Sequence, residues 1–111
     1  MSYKLFIDDE RFPADDSGEW VIVRNSQQAI NTVYQKGMPS FISFDHDLGG
    51  DDTSMKFLRW LLDELLDDMI AFPVDFGYYV HSQNPVGAEN IRSFMEFLIW
   101  EFGDERAKEV S

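Results

Sequence analysis

The stretch FISFDHDLGG, residues 41–50, is the strongest indication of the fold. It begins with a short apolar run, residues 41–44, which is typical of a strand buried on both faces. Asp45, His46 and Asp47 follow that run without a break, and a glycine pair ends the stretch. Polar residues at the carboxyl end of a buried parallel strand are where open α/β folds bind their ligands. The function therefore depends on what the other strands bring to the same edge.

The rest of the chain predicts an alternation of strands and helices. The predicted strands are residues 4–7, 20–23, 41–44 and 76–80. The predicted helices begin at Ser26, then at Asp52, Thr53 or Ser54, and then at Asn84, and they end at Gly37, after Met69 and at Gly103. Capping residues, a Pro85 at the first helical position and terminal glycines support these limits. The order predicts a small three-layer α/β sandwich with about four mainly parallel strands and helices on both faces.

Two segments fit this pattern less well. Residues 12–19 are a polar loop where a first crossover helix is expected, and residues 104–111 are predicted to be a polar tail that frays. We expect one domain spanning residues 1–111, since a chain of this length buries a single core.

Composition excludes several classes of function. The formal charge is −12, with 9 basic and 21 acidic residues, so direct binding to the backbone of duplex DNA is not expected. The chain has no cysteine, which excludes disulfides and thiolate metal sites. It has no apolar run long enough to span a membrane, and its first residues do not form a signal peptide. We therefore expect a cytoplasmic protein without a membrane partner.

Acidic residues follow two of the predicted strands, and they predict a metal site. Asp8 and Asp9 follow the first strand, and Asp45 and Asp47 follow the third. Parallel strands place these carboxylates on one rim, where they repel each other unless a cation neutralises them. Mg²⁺ or Mn²⁺ with oxygen ligands is the expected ion. The alternative for Asp8 and Asp9, taken alone, is a solvated turn.

The fourth strand and the helix after it predict a phosphate site beside these acids. His81 and Ser82 end the strand, and Asn84 caps the helix. The first backbone N–H groups of that helix can bind a phosphate; they belong to Val86, Gly87 and Ala88. Arg11 and Arg24 are candidate phosphate contacts. A plain capped helix and simple ion pairs are the alternatives.

The only two histidines of the chain both fall at these strand ends. Imidazole titrates near neutral pH, so His46 and His81 are candidates for the general base and the general acid at one phosphate. The alternative is that each histidine only forms a hydrogen bond with a carboxylate.

The segments LFIDDERFP, FISFDHDLGG and VHSQNPVGAENI together resemble the cyclic-phosphate processing receiver-like domains, small relatives of the response-regulator receivers of bacteria and their phages. The resemblance covers roughly Tyr3 to Phe102. It implies a receiver-like (flavodoxin-like) sandwich with an acidic metal pocket, in which Asp45 corresponds to the phospho-accepting aspartate. It also implies that His46, Asp47, His81 and Asn84 belong to the family's own pattern. A receiver has a lysine after its fifth strand, and Lys108 in the polar tail is a poor match for it.

Three functions are compatible with these residues. The first is a metal-assisted phosphoesterase acting on cyclic phosphates, either 2′,3′-cyclic RNA ends or cyclic nucleotides, with Asp45, His46 and His81 as catalytic residues. The second is a non-catalytic acidic protein that sequesters a nucleotide or docks on a partner protein by its charge. The third is a signalling domain phosphorylated on Asp45, which the missing receiver lysine makes the weakest of the three.

Overall fold

The computed structural model describes residues 2–15 and 19–110 and contains a single sheet. The strands are β1 (Lys4–Ile7), β2 (Trp20–Val23), β3 (Phe41–Phe44), β4 (Gly77–Val80) and β5 (Lys108–Glu109). The helices are α1 (Ser26–Lys36), α2 (Ser54–Leu66) and α3 (Pro85–Phe102). All strand pairs are parallel, and the strand order is β2-β1-β3-β4-β5. The predicted receiver-like α/β fold is thereby confirmed.

The sheet has one strand more than the sequence predicted. β5 consists of two exposed charged residues that pair with Gly77 and Tyr78 of β4. Neither apolar content nor alternation marks such a strand, so the sequence predicts only a polar tail at this position. Part of the predicted loop 12–19 also lies outside the described residues, since residues 16–18 are among those not described.

The helices differ from the prediction in their placement. They all lie on one face of the sheet, where they share a single core with alternate strand residues such as Ile7, Phe44 and Val80. The reason is topological: each of the connections β2-α1-β3, β3-α2-β4 and β4-α3-β5 moves across the sheet in the same direction. Right-handed crossovers in one direction put every helix on the same face. Because β1 and β2 are joined by a loop, no crossover covers the other face in the described part of the chain.

The helix limits mostly follow the predicted caps. Asn84 caps α3 with Pro85 at its first turn, and Thr53 caps α2. The cap of α1 is Asn25 and not Ser26, because the Asn25 side chain accepts the amide of Gln28. Among the described residues, no helix combines the length and apolar character needed to cross a lipid bilayer. Because Asn84 caps α3 shortly after β4 and donates to Asp47 after β3, the start of this helix lies, as expected, beside the carboxyl ends of β3 and β4.

Candidate functional site

Three carboxylates meet at the carboxyl ends of β1 and β3. Ile7 and Phe44 are paired in register, and the ladder continues with a 2.9 Å bond from the Asp45 amide to the Ile7 carbonyl. Asp8, Asp9 and Asp45 each offer one oxygen, and these oxygens all lie within 4.8 Å of one another. Oxygens on opposite sides of a Mg²⁺ ion are about 4.2 Å apart. The donor set therefore fits a hard divalent cation after small side-chain movements.

Asp8 is fully buried, and both of its carboxylate oxygens accept hydrogen bonds from neighbouring groups. Its Oδ1 accepts the amides of Glu10 at 2.9 Å and Arg11 at 2.8 Å. Its Oδ2 accepts Arg11 Nε and pairs with His81 Nε2, both at 2.9 Å. Burial acts to raise the pKa of Asp8, but the two amides, His81 and the charge of Arg11 outweigh it and hold that pKa below its ordinary value. Asp8 is thus a fixed negative charge at neutral pH.

His81 is held by both of its ring nitrogens. Nε2 faces Asp8, Nδ1 lies 2.7 Å from Ser43 Oγ, and the ring stacks on Phe6 with 4.7 Å between centroids. Burial lowers the pKa of His81 and outweighs the opposing effect of the Asp8 carboxylate. We assign the proton of the neutral ring to Nε2, because the ionised Asp8 can only accept, and Nδ1 then accepts from the Ser43 hydroxyl. Neither nitrogen is free for a substrate in this arrangement.

Asp45 is the carboxylate of the cluster whose negative charge is most strongly disfavoured by its surroundings. Burial and the charge of Asp8 raise the pKa of its carboxyl group, against the opposing effects of His81 and Arg11. The nearest cation is Arg11, whose Nη2 is 3.6 Å from Asp45 Oδ2. One arginine thus faces several acids, and a divalent cation would relieve the remaining repulsion.

His46 lies against helix α3, away from His81. A Cβ atom built on Gly87 would come within 2.4 Å of His46 Cγ, so the imidazole occupies the space that this glycine leaves open. His46 Nδ1 is 3.0 Å from Asp47 Oδ1. The hydrogen bonds from His46 and Asn84 lower the pKa of Asp47. His46 packs on the helix side of the sheet, whereas His81 stacks on Phe6 of the opposite side.

Most of the polar groups at the start of α3 form hydrogen bonds with one another or with neighbouring loop residues. Asn84 Oδ1 accepts the Gly87 amide at 3.1 Å, and the Asn84 carbonyl accepts the Ala88 amide at 2.8 Å. Asn84 Nδ2 also donates to Asp47 Oδ2 at 3.2 Å, and its own amide donates to Ser82 Oγ. The Val86 side chain at the same helix start is exposed. Two of the three amides predicted to bind phosphate therefore already have acceptors.

A cleft of about 430 Å³ joins the predicted acids to the start of α3. Its lining includes Asp9, Arg11, Asp45, Asp47, Ser82 and Asn84. In the described part of the chain the lining includes neither histidine, so the structure brings the acids, the arginine and the capping asparagine together but keeps the two imidazoles out of this cleft.

Three residues support the site in ways that sequence reasoning missed. Arg24, a candidate phosphate contact, instead donates Nη1 to the carbonyls of Asp8 at 3.0 Å and Arg11 at 2.5 Å and fixes their loop. Ser43 orients His81, and its signal was a lone hydroxyl in an apolar strand. Gly87 makes room for His46; a glycine one turn after a helix cap was the available sign.

Comparison with known families gives a match that covers the whole of this site. The model of a family described as "Cyclic-phosphate processing Receiver domain" matches residues 3–97. Comparisons with curated proteins and with solved structures gave no match. The matched span runs from before β1 into α3, so every residue of the acidic cluster, the cleft and the two histidine environments lies inside it.

Proposed function

The chain belongs to the family of cyclic-phosphate processing receiver domains, and on this premise we propose that it is a metal-assisted phosphoesterase that opens a cyclic phosphate. The substrate is a 2′,3′-cyclic phosphate, at an RNA end or on a free nucleotide, or another cyclic nucleotide. The observation that supports this is the cluster of Asp8, Asp9 and Asp45, with oxygens within 4.8 Å of one another beside an open cleft.

Asp8, Asp9 and Asp45 would hold Mg²⁺ or Mn²⁺, with Asp47 on the same cleft as a further oxygen donor. When bound, the ion supplies a Lewis acid for the phosphoryl oxygens and lowers the pKa of water. The three carboxylates are a set of hard oxygen ligands, which suits these ions better than softer metals.

Arg11 binds the phosphate in this proposal. Asp8 accepts its amide and its Nε, so the guanidinium is fixed at its inner end, and its Nη2 reaches toward Asp45. A fixed guanidinium loses little conformational freedom when it binds a phosphate oxygen. Ser82 and Asn84 line the cleft, and the Val86 amide in the first turn of α3 would be a further donor to the phosphate. The amides of Gly87 and Ala88 stabilise the helix start.

The two histidines take different roles in the proposed reaction. Asp47 lines the cleft and contacts His46 Nδ1 behind it, so a proton would pass between the cleft and His46 through the Asp47 carboxylate. His81 acts on Asp8: it donates Nε2–H to that carboxylate and keeps it ionised and in place. His46 is thus the proposed proton carrier, and His81 is a positioning residue.

The position of Lys108 favours hydrolysis over phospho-relay. Lys108 pairs with Gly77, the first residue of β4, whereas the acidic cluster lies at the opposite ends of the strands. It is therefore a full strand length away from Asp45, where a receiver lysine would have to contact a phosphoryl group.

The test is phosphorus NMR of the protein with 2′,3′-cyclic and 3′,5′-cyclic nucleotides, in Mg²⁺ or Mn²⁺ and again in chelator. We expect a metal-dependent new phosphate signal. Asp9→Asn should lower the rate about 100-fold, because Asp9 is an exposed member of the cluster and its loss removes a ligand without disturbing the core. Asp63→Asn, an exposed acid on α2, is the matched control and should leave the rate unchanged.

Two results would contradict the enzyme. If Asp9→Asn turns over substrate as fast as the unsubstituted protein, the acidic cluster does not take part in the reaction. Metal-dependent binding of a nucleotide without any turnover supports the acidic binding protein instead.

A further inference from the structure

A second cavity, of about 530 Å³, lies on the face of the sheet that the helices leave uncovered. Its floor is formed by side chains of β1 to β4 and of His81 just beyond β4, and residues 12–15 close it from above. Its aromatic lining is Phe6, Phe12, Trp20, Phe41, Tyr79 and His81. The volume lies within the range of about 300–1,000 Å³ that is typical of small-molecule sites.

The aromatic rings are arranged as a box with an open mouth. Trp20 stands edge-on to Phe6 at 5.7 Å and to Phe41 at 5.9 Å, and Phe6 stacks on His81. Two rings at the mouth remain exposed, Phe12 at 70% and Tyr79 at 41%. Large exposed rings around a concave apolar surface indicate a binding site for a ligand that has an apolar face.

This cavity lies next to the acidic cleft. Arg11 lines both, and His81 of the cavity is followed directly by Ser82 of the cleft. A ligand that places an anion in the cleft and passes Arg11 therefore reaches the aromatic cavity with its other end. Such a ligand has a phosphate at one end and a flat ring at the other.

We propose that the aromatic cavity binds the base of a nucleoside cyclic phosphate, so that the protein recognises the base of its substrate as well as the cyclic phosphate. The proposal rests on the proposed function for the position of the phosphate. The base stacks on the exposed rings of Phe12 and Tyr79, and every nucleobase has the flat face that such stacking uses. The neighbouring cleft with Arg11 supplies the site for the charged end of the same ligand, which favours a nucleotide over an uncharged apolar partner.

The experiment measures binding by calorimetry with three probes: adenosine 2′,3′-cyclic phosphate, methyl riboside 2,3-cyclic phosphate, which has no base, and free adenosine. We expect Tyr79→Ala and Phe12→Ala to weaken the nucleotide by roughly 5-fold to 100-fold each and to leave the baseless probe unchanged. Both rings are exposed, but Phe12 also packs against the Arg24 guanidinium, 4.6 Å from the ring centroid, so Tyr79→Ala is the cleaner of the two variants. Trp100→Ala, 85% exposed on α3, is the matched control and should change neither affinity.

Indole N–H signals in NMR give a local readout. Trp20 lines the cavity, Trp60 packs against Phe57 of α2, and Trp100 lies on α3. We expect the nucleotide and free adenosine to shift the Trp20 signal alone.

The outcomes separate this inference from the proposed function. Equal affinity for the nucleotide and the baseless probe, with no effect of Tyr79→Ala, overturns the base site and leaves the phosphoesterase standing. Adenosine binding that Tyr79→Ala weakens, without any binding of the cyclic phosphate, supports the base site and contradicts the phosphate assignment. A dimer that Tyr79→Glu dissociates, with no shift of Trp20 by any probe, shows instead that this face binds a second copy and overturns the inference.

Discussion

The two faces of the sheet differ in how they are covered. On one face three helices bury alternate strand residues completely, whereas the other face carries large aromatic side chains under a short loop. Adjacent residues of one strand show the contrast: Tyr78 is 1% exposed on the helix side, and Tyr79 is 41% exposed on the other. The comparison shows that a closely packed core and an accessible cavity occur on opposite sides of the same short strands.

The same division separates the two histidines. His46 follows β3 and packs on Gly87 of α3, while His81 follows β4 and stacks on Phe6 on the open side. Both stand next to the acidic rim, but from opposite faces. In the proposed reaction, His81 would hold a carboxylate in place from one face and His46 would exchange a proton from the other.

The largest expected effect compares the two tyrosines directly. Tyr78→Ala removes a fully buried ring from the helix-covered core and should lower the free energy of unfolding by about 3–5 kcal/mol. Tyr79→Ala should change it by less than about 1 kcal/mol, since its ring is partly solvated. Urea denaturation of the two variants measures both values. Similar losses for both would show that the open face is also a stabilising core.

Gly87→Ala tests how closely the helix side holds His46. The added methyl would lie 2.4 Å from His46 Cγ, so the ring or the helix must move, at a cost of about 1–3 kcal/mol. The proposed proton carrier is displaced with it, and turnover should fall with the stability.

The control for Gly87→Ala is Val86→Ala, one position earlier in the same helix turn and with its side chain 72% exposed. Thermal denaturation should show a change within about 0.5 kcal/mol for this variant. A Gly87→Ala protein as stable and as active as the control would mean that His46 does not need its present position.

Asp45→Asn tests the rim between the two faces. Because burial and Asp8 raise the pKa of Asp45, its ionised form opposes folding at neutral pH, and a neutral isostere removes that penalty. In chelator the variant should therefore be more stable, by about 0.5–2 kcal/mol. In Mg²⁺ the order should reverse, because the variant lacks a ligand. Melting temperatures of both proteins with and without the ion measure these differences. If Mg²⁺ stabilises the variant as much as the unsubstituted protein, Asp45 is not a ligand of the ion.

The acidic rim was predictable from the sequence, and the separation of the histidines only in part. Asp8 and Asp45 each follow an apolar run, and parallel pairing of two such runs brings their ends together. The alternation of side chains along β3 and β4 gives the faces of His46 and His81, but only once the strand limits are known to one residue. Strand β5 has no apolar pattern, and the aromatic cavity depends on the side to which every crossover turns. Such long-range geometry is not encoded in any local segment.

The smallest expected effect concerns a polar atom inside the helix-covered core. The hydroxyl of Tyr78 is buried without a hydrogen-bond partner among the described residues, and burial raises its pKa so that it stays neutral. Tyr78→Phe removes only this oxygen, so the free energy of unfolding should stay unchanged or rise by up to about 1 kcal/mol. Tyr3→Phe is the matched comparison, because the Tyr3 hydroxyl donates to the Gly37 carbonyl at 2.6 Å and its loss should cost about 0.5–1.5 kcal/mol. A loss in Tyr78→Phe as large as that in Tyr3→Phe would show that the core face binds an ordered water, and that it is less completely sealed than its packing indicates.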